Sequence, residues 1–439
     1  MRSELARELS GKQAVVIGLG SMLGAGVFTV FAPAAALAGW ALPVSLALAA
    51  AVAFANGTAS AQLAARYPKA GGSYVYGREK LGAWPGFFAG WCFVIGKTAS
   101  LAAMALVAGH YLTPSTPRIT GLAILAVLTV IACLGIQRTA LATAVIVSIV
   151  LLILGCLIVT SFELPAAFPM RTHITGSVAW DDVDTWQGIA RGAALMFFAF
   201  AGYARIATMG EEIRKPERAI PSATHQSIGL VALLYAVLTY LLLTRLGPEA
   251  VAASDIPLAK LADVTRFERI AVVLNFTAAL AATGVMLALL AGISRTILAM
   301  ARNDDLPRVL ARTTSRKVPA LATVLNAAVV AVLVLTLDSI ETAIGFSAFG
   351  VLLYYSVANL SALRQPAEER RYPRALHVAG LLACLALVAS LPPRSLAIGL
   401  AIVFAGLIYR LIAVGLMAHR RRSNGETIEP RPGKDAEDA

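Results

Sequence analysis

Charge is what this chain has little of. Of its 439 residues, 14% are charged and 58% are hydrophobic, and mean hydropathy is +0.74. A soluble domain carries about a quarter charged residues. A water-soluble fold is therefore excluded, and a polytopic membrane protein is expected. Cysteine is scarce as well. Cys92, Cys133, Cys156 and Cys384 stand far apart in apolar runs, with no disulfide or metal-ligand spacing between them, so each is expected simply to pack. No G-x-x-x-x-G-K-[ST] loop is present, which argues against direct drive by a nucleotide. No nucleophile–base pair or metal-ligand cluster stands out, so neither an enzyme nor a bound cofactor or metal is expected. No short signal core with a cleavage site precedes the first apolar run, so the first span is expected to target the chain. The formal charge of +12 sits largely in short loops between apolar runs. Membrane topology accounts for it, and nucleic acid is not expected as a partner.

What the chain does have is long apolar runs. A span needs about 20 apolar residues. Twelve are read, near 14–37, 42–65, 86–111, 120–136, 140–161, 187–209, 224–246, 269–299, 320–337, 341–362, 375–391 and 396–417. Loops assigned to the inside carry most of the Lys and Arg, including Arg66, Lys69, Arg78, Lys80, Arg214, Lys215, Arg302, Arg308, Arg370 and Arg371. The outer loops carry Arg118, Arg171, Arg245, Lys260, Arg266 and Arg394. This bias predicts cytoplasmic termini and a multi-pass protein of the cell membrane. The stretch 66–83 is long enough for an interfacial helix, with Tyr74, Tyr76 and Trp84 suited to the headgroup level. Asp181, Asp182 and Asp184 are expected to start the sixth span.

The first run, AVVIGLGSMLGAGVFTVFAPAAAL, crowds Gly18, Gly20, Gly24 and Gly26 into its middle. Each glycine costs a helix interior about 1 kcal/mol against alanine. Two readings follow: a broken helix that exposes backbone groups to a polar site, or a glycine-rich packing face. Five spans later Gly202 interrupts the sixth run among Phe197, Phe198, Phe200 and Tyr203. Two interrupted spans at matching places in two halves point to a transporter site. An offset of five makes the halves inverted. The expected division is a cytoplasmic N-terminus 1–13, a first repeat 14–161, a second repeat 187–362, accessory helices 375–417 and a disordered tail 419–439.

Several motifs carry a resemblance. Gly24-Ala25-Gly26-Val27-Phe28 resembles the first-helix signature of the amino acid–polyamine–organocation superfamily. Phe197 to Tyr203, then Ala207-Thr208-Met209-Gly210-Glu211-Glu212, Pro216 and Ile220-Pro221, resembles its sixth helix and following loop. Tyr67 to Tyr74 resembles its second–third loop, and Ser294 to Pro307 the end of its eighth helix. The branch most similar is that of the cationic amino acid transporters. The resemblance implies an all-α LeuT-type fold of twelve transmembrane helices: a 5+5 inverted repeat, helices 1 and 6 broken, and two additional C-terminal helices. It implies a secondary transporter whose substrate is an amino acid. Amides near Leu23, Gly24, Ala25 and Gly26 would hold the carboxylate. Carbonyls near Ile17, Gly18, Phe198, Ala199 and Ala201, beside Gly202, would hold the ammonium. Helix termini suit those charges. Phe198 or Phe200 would gate the site. Glu211, Glu212 and Arg295 are expected in a gating network.

Lys97 lies halfway along the third span. A charge there costs about 3 kcal/mol. Four roles are open: a proton-trading coupling group, a fixed charge where relatives bind a cation, a partner for an acidic substrate, or a lysine snorkelling to the interface. Val150 stands where some proton-coupled relatives carry a lysine. No carboxylate flanks Lys97, and Ala204-Arg205 follow Gly202-Tyr203 where the cationic branch is often acidic. These departures favour a neutral or anionic amino acid, with a proton as coupling ion, over a cationic amino acid or polyamine. Exchange, and a non-transporting sensor, are the alternatives. Tyr354 and Tyr355 are placed on the extracellular path or in packing, and His110 at the outer interface.

Overall fold

The computed structural model describes residues 9–24, 26–67, 71–135, 140–208, 212–265 and 268–423. Ala25 and Glu211 therefore lie outside the described residues, as does the expected tail beyond 423. Among the described residues the chain is helical, and extended backbone pairs only at a parallel bridge between Leu9 and Ile213. Two amide bonds make that bridge: Leu9 N–H to Glu212 O at 2.9 Å and Arg214 N–H to Leu9 O at 2.8 Å.

The first apolar run forms α1 (Gly11–Leu23) and α2 (Phe31–Ala38), separated by a non-helical elbow. A capping box starts α1. Ser10 Oγ accepts the Gln13 N–H at 3.3 Å, and Gln13 Oε1 accepts the Ser10 N–H at 2.9 Å. Gly39, at φ 52°, turns the chain into α3 (Leu42–Arg66). The short helix expected in 66–83 is α4 (Ser73–Leu81). Then follow α5 (Ala83–Leu112), α6 (Pro117–Cys133), α7 (Ala140–Phe162) and the brief α8 (Met170–Gly176). Asp182 caps α9 (Val183–Phe200), its carboxylate accepting the Asp184 N–H at 3.0 Å. A single 3-10 turn, Ala201–Tyr203, separates α9 from α10 (Ala204–Thr208). The rest is α11 (Pro216–Leu246), α12 (Pro248–Ala252), α13 (Pro257–Asp263), α14 (Glu268–Arg302), α15 (Ala320–Thr336), α16 (Ile340–Leu363), α17 (Arg374–Ser390) and α18 (Pro393–Ser423).

Among the described residues, eight helical stretches are long and apolar enough to cross a membrane, and α6, α15 and α17 are shorter apolar helices. Two bounds differ from the sequence reading. α11 starts at Pro216, because proline is tolerated where a helix begins. α18 runs past 417 to Ser423. α5 and α16 are the most buried spans, whereas α7 and α18 lie at the rim. Cys92 and Cys384 are buried as expected, but Cys156 is exposed on the rim helix α7.

Two polar clusters tie the α4 end together. Tyr67 Oη donates to Glu369 Oε2 at 2.7 Å, with Arg66 and Lys80 at 3.3 and 3.6 Å from the same carboxylate. The Tyr67 hydrogen bond and the two cations hold the Glu369 carboxyl below the usual range. The other cluster centres on Asp305, 4% exposed. Tyr74 and Arg78 donate to Asp305 Oδ2 at 2.9 and 2.7 Å, and Arg410 of α18 pairs with Oδ1. Tyr74 and Tyr76 are buried in protein, whereas Trp84, 41% exposed, keeps an open face. Arg410 is also stacked over Trp84 and Phe87.

Candidate functional site

The two interrupted spans cross at their breaks. A Cβ on Gly202 would strike the carbonyl of Ser21 and the amide of Met22. A Cβ on Gly26 would strike Ala199, and one on Gly24 would come within 2.9 Å of Ala281 O in α14. Glycine at these positions lets three backbones meet. In this conformation it also settles where the backbone bonds go. The Gly24 N–H bonds Gly20 O at 3.2 Å, and the Gly26 N–H bonds Met22 O at 3.0 Å. Of the amides expected to face a carboxylate, those of Gly24 and Gly26 are thus used within the chain.

The carbonyls are occupied as well. Phe198 O accepts the Ala201 N–H. Tyr235 Oη, from α11, reaches both Met22 O at 3.1 Å and Ala199 O at 3.4 Å. Tyr355 Oη and Lys97 Nζ converge on Ala201 O at 3.3 and 3.4 Å. Lys97 therefore places its ammonium on a carbonyl at the break of the sixth span and does not snorkel. α5 and α16 meet closely through Gly96 and Gly350, and Ser100 Oγ lies 2.6 Å from Ser347 Oγ. That contact fixes the helix that carries Lys97.

A cavity of about 280 Å³ lies against this crossing. It gathers Ile17, Lys97, Phe198, Ala201, Gly202 and Arg295 from the residues predicted on sequence grounds. Gly18, Leu23, Gly24, Gly26, Ala199, Phe200 and Glu212 do not line it. Phe198 faces the cavity, whereas Phe200 packs edge-on against Tyr235 at 5.3 Å. No ion pair within 4 Å joins Arg295 to Glu212 among the described residues. The lining adds Ser21, Thr143, Arg205, Thr208 and Tyr354. Tyr354 accepts the Ser73 N–H at 2.9 Å, and it therefore lies toward α4. Tyr355 is fully buried at the break. His110 stands 3.7 Å from Asp255, away from the cavity.

Sequence reasoning missed Tyr235. A lone tyrosine in an apolar helix gives no signal until its hydroxyl is placed. Met22 O keeps the Gly26 N–H, so Tyr235→Phe leaves Ala199 O as the carbonyl that loses this donor, and an orphaned group costs about 1–3 kcal/mol. Thermal unfolding in detergent is expected to show a loss of that order; an unchanged midpoint removes the hydroxyl from the account.

The comparisons agree with this architecture. A family model described as amino acid permease matches residues 9–428. An uncharacterised transporter of Mycobacterium tuberculosis is 45% identical over 426 residues, covering 97% of this chain and 95% of its own. Cationic amino acid transporter 2, vacuolar, of Arabidopsis thaliana is 26% identical, over 85% of this chain and 62% of its own. The crystal structure of MhsT in complex with L-phenylalanine aligns with a TM-score of 0.64 at 15% identity, over 88% of this chain and 99% of that one. The fold is therefore of the LeuT type. With paired broken helices around a cavity and a family match along nearly its whole length, this chain is a membrane transporter that belongs to the amino acid permease family.

Proposed function

We propose that the protein moves a neutral or anionic amino acid across the cell membrane by alternating access, coupled to protons, with both termini cytoplasmic. On that orientation the α4 side is cytoplasmic and the cavity is open inward. The observation that carries the reading is the position of Lys97. Its ammonium lies at the broken sixth span, on a carbonyl that the resemblance assigns to the substrate's ammonium. The charge thus occupies a cation position at the site and repels a cationic side chain. A substrate whose amino group takes Ala201 O displaces Lys97, and a displaced lysine is free to exchange a proton with the cavity.

The amides near Leu23, Gly24, Ala25 and Gly26 become carboxylate ligands once the elbow opens, with Phe198 as the aromatic gate. Glu211, Glu212 and Arg295 act at the inner gate. The second reading, a cationic amino acid transporter, is favoured by the names of the Arabidopsis relatives. It is opposed by Lys97, Arg205 and Arg295, with no carboxylate among the described lining residues.

The test is uptake into proteoliposomes of labelled alanine, leucine, phenylalanine, glutamate, lysine and a polyamine, with and without an inward proton gradient. Neutral or acidic amino acids are expected to accumulate with the gradient, and Lys97→Ala is expected to abolish that dependence. Preferred uptake of lysine or the polyamine overturns the substrate class. Proton-driven uptake retained in Lys97→Ala overturns the coupling role.

A further inference from the structure

The charged lining of the cavity is one-sided. Lys97 sits at the crossing, and Arg205 and Arg295 line the same cavity. Arg205 begins one turn beyond Gly202 on α10. A Cβ placed on Gly292 of α14 would lie 3.9 Å from its Nη1, so the guanidinium reaches across to the wall that carries Arg295, three residues along the same helix. Residues three apart share a helix face. The two guanidiniums repel one another, and Glu212 is the acidic group whose field reaches Arg205. Neither arginine is in an ion pair within 4 Å among the described residues.

Several other arginines are neutralised or bonded. Arg78 and Arg410 share Asp305, Arg118 donates to Leu335 O and Leu337 O at 3.1 and 2.9 Å, and Arg394 pairs with Asp338. Two like charges facing one cavity without such partners form a receptor for an anion. Guanidinium groups suit carboxylates in particular, because their donors match both oxygens.

We propose that the transported amino acid carries a second acidic group, and that Arg205 and Arg295 receive it below the crossing of the broken spans. This rests on the amino acid reading above. The backbone end of the substrate belongs at the crossing, near Ser21, Ala201 and Gly202. The side chain points toward Thr208 and Arg295. An ω-carboxylate on a short side chain then reaches the guanidinium pair, whereas the isosteric amide presents no charge to it.

The experiment is uptake of L-glutamate against L-glutamine in proteoliposomes, for the wild type, Arg205→Gln, Arg295→Gln and Arg295→Lys. Each variant is first checked for a monodisperse profile on size exclusion. The wild type is expected to prefer glutamate. Either glutamine substitution is expected to lower that ratio about tenfold or more, the scale of a charge-assisted hydrogen bond. Arg295→Lys keeps the charge and is expected to retain most of the ratio. Equal handling of the two substrates, or preference for lysine, leaves transport standing and overturns this proposal. Uptake of no amino acid at all fells both readings. Replacing chloride by gluconate tests a free inorganic anion as the ligand. A chloride-dependent rate that ignores the substrate's side chain assigns the arginine pair to that anion and overturns the proposal.

Discussion

Gly202→Val is expected to lower uptake about 100-fold, on the scale by which a small misplacement of interacting groups costs a site its activity. The side chain has nowhere to go. The first carbon beyond the backbone already meets the carbonyl of Ser21 and the amide of Met22, which are main-chain atoms that cannot swing aside. The two broken spans must separate, and with them Ala201 O, the acceptor of Lys97 and Tyr355. Overpacking of this kind costs about 1–3 kcal/mol, so the variant is expected to fold while failing to transport. Gly229→Ala in α11 is the matched control, because nothing lies within 4 Å of a Cβ there. Proteoliposome uptake beside a size-exclusion profile separates the two effects. Wild-type uptake by a folded Gly202→Val protein contradicts the role given to the crossing.

Asp305→Asn is the corresponding result for stability. The carboxylate is buried between Arg78, Arg410 and the Tyr74 hydroxyl. Neutralising it leaves Arg410, 5% exposed, as an uncompensated charge between α4, α5 and α18. Removing one partner of a buried pair costs about 3–5 kcal/mol. The loss is expected in thermal unfolding in detergent. Arg410→Leu in the same chain is expected to return part of it, because the stranded charge goes too. A double variant no better than the single shows that Arg410 carries no such penalty. The helix pair read from sequence as accessory is thus locked to the bundle by an ion pair. Its signal was an arginine inside the last apolar run, where a charge needs a partner.

Span positions were legible because hydropathy and chain length dictate them, and ten of the helices lie within a few residues of the runs that announce them. The break in the sixth span was legible from Gly202 among bulky neighbours. The first span was less so. Gly24 and Gly26 serve a broken helix and a close crossing equally well, since both need a missing Cβ. In this conformation they serve the crossing, and their amides stay bonded within the chain. Lys97 could be placed in the membrane interior but not aimed, because its acceptor is 104 residues away. Arg205 was visible as a departure from the family pattern. Its closeness to Arg295 depends on how α10 and α14 pack, which no local pattern encodes.

The bridge between Leu9 and Ile213 has its own implication for how this chain tolerates change. It is built from the amides and carbonyls of residues 9, 212 and 214. Side chains at those positions can drift without loosening it, because every residue but proline supplies the same donor and acceptor. The foot of the first span and the exit of the sixth therefore stay stitched to one another through substitution at these positions.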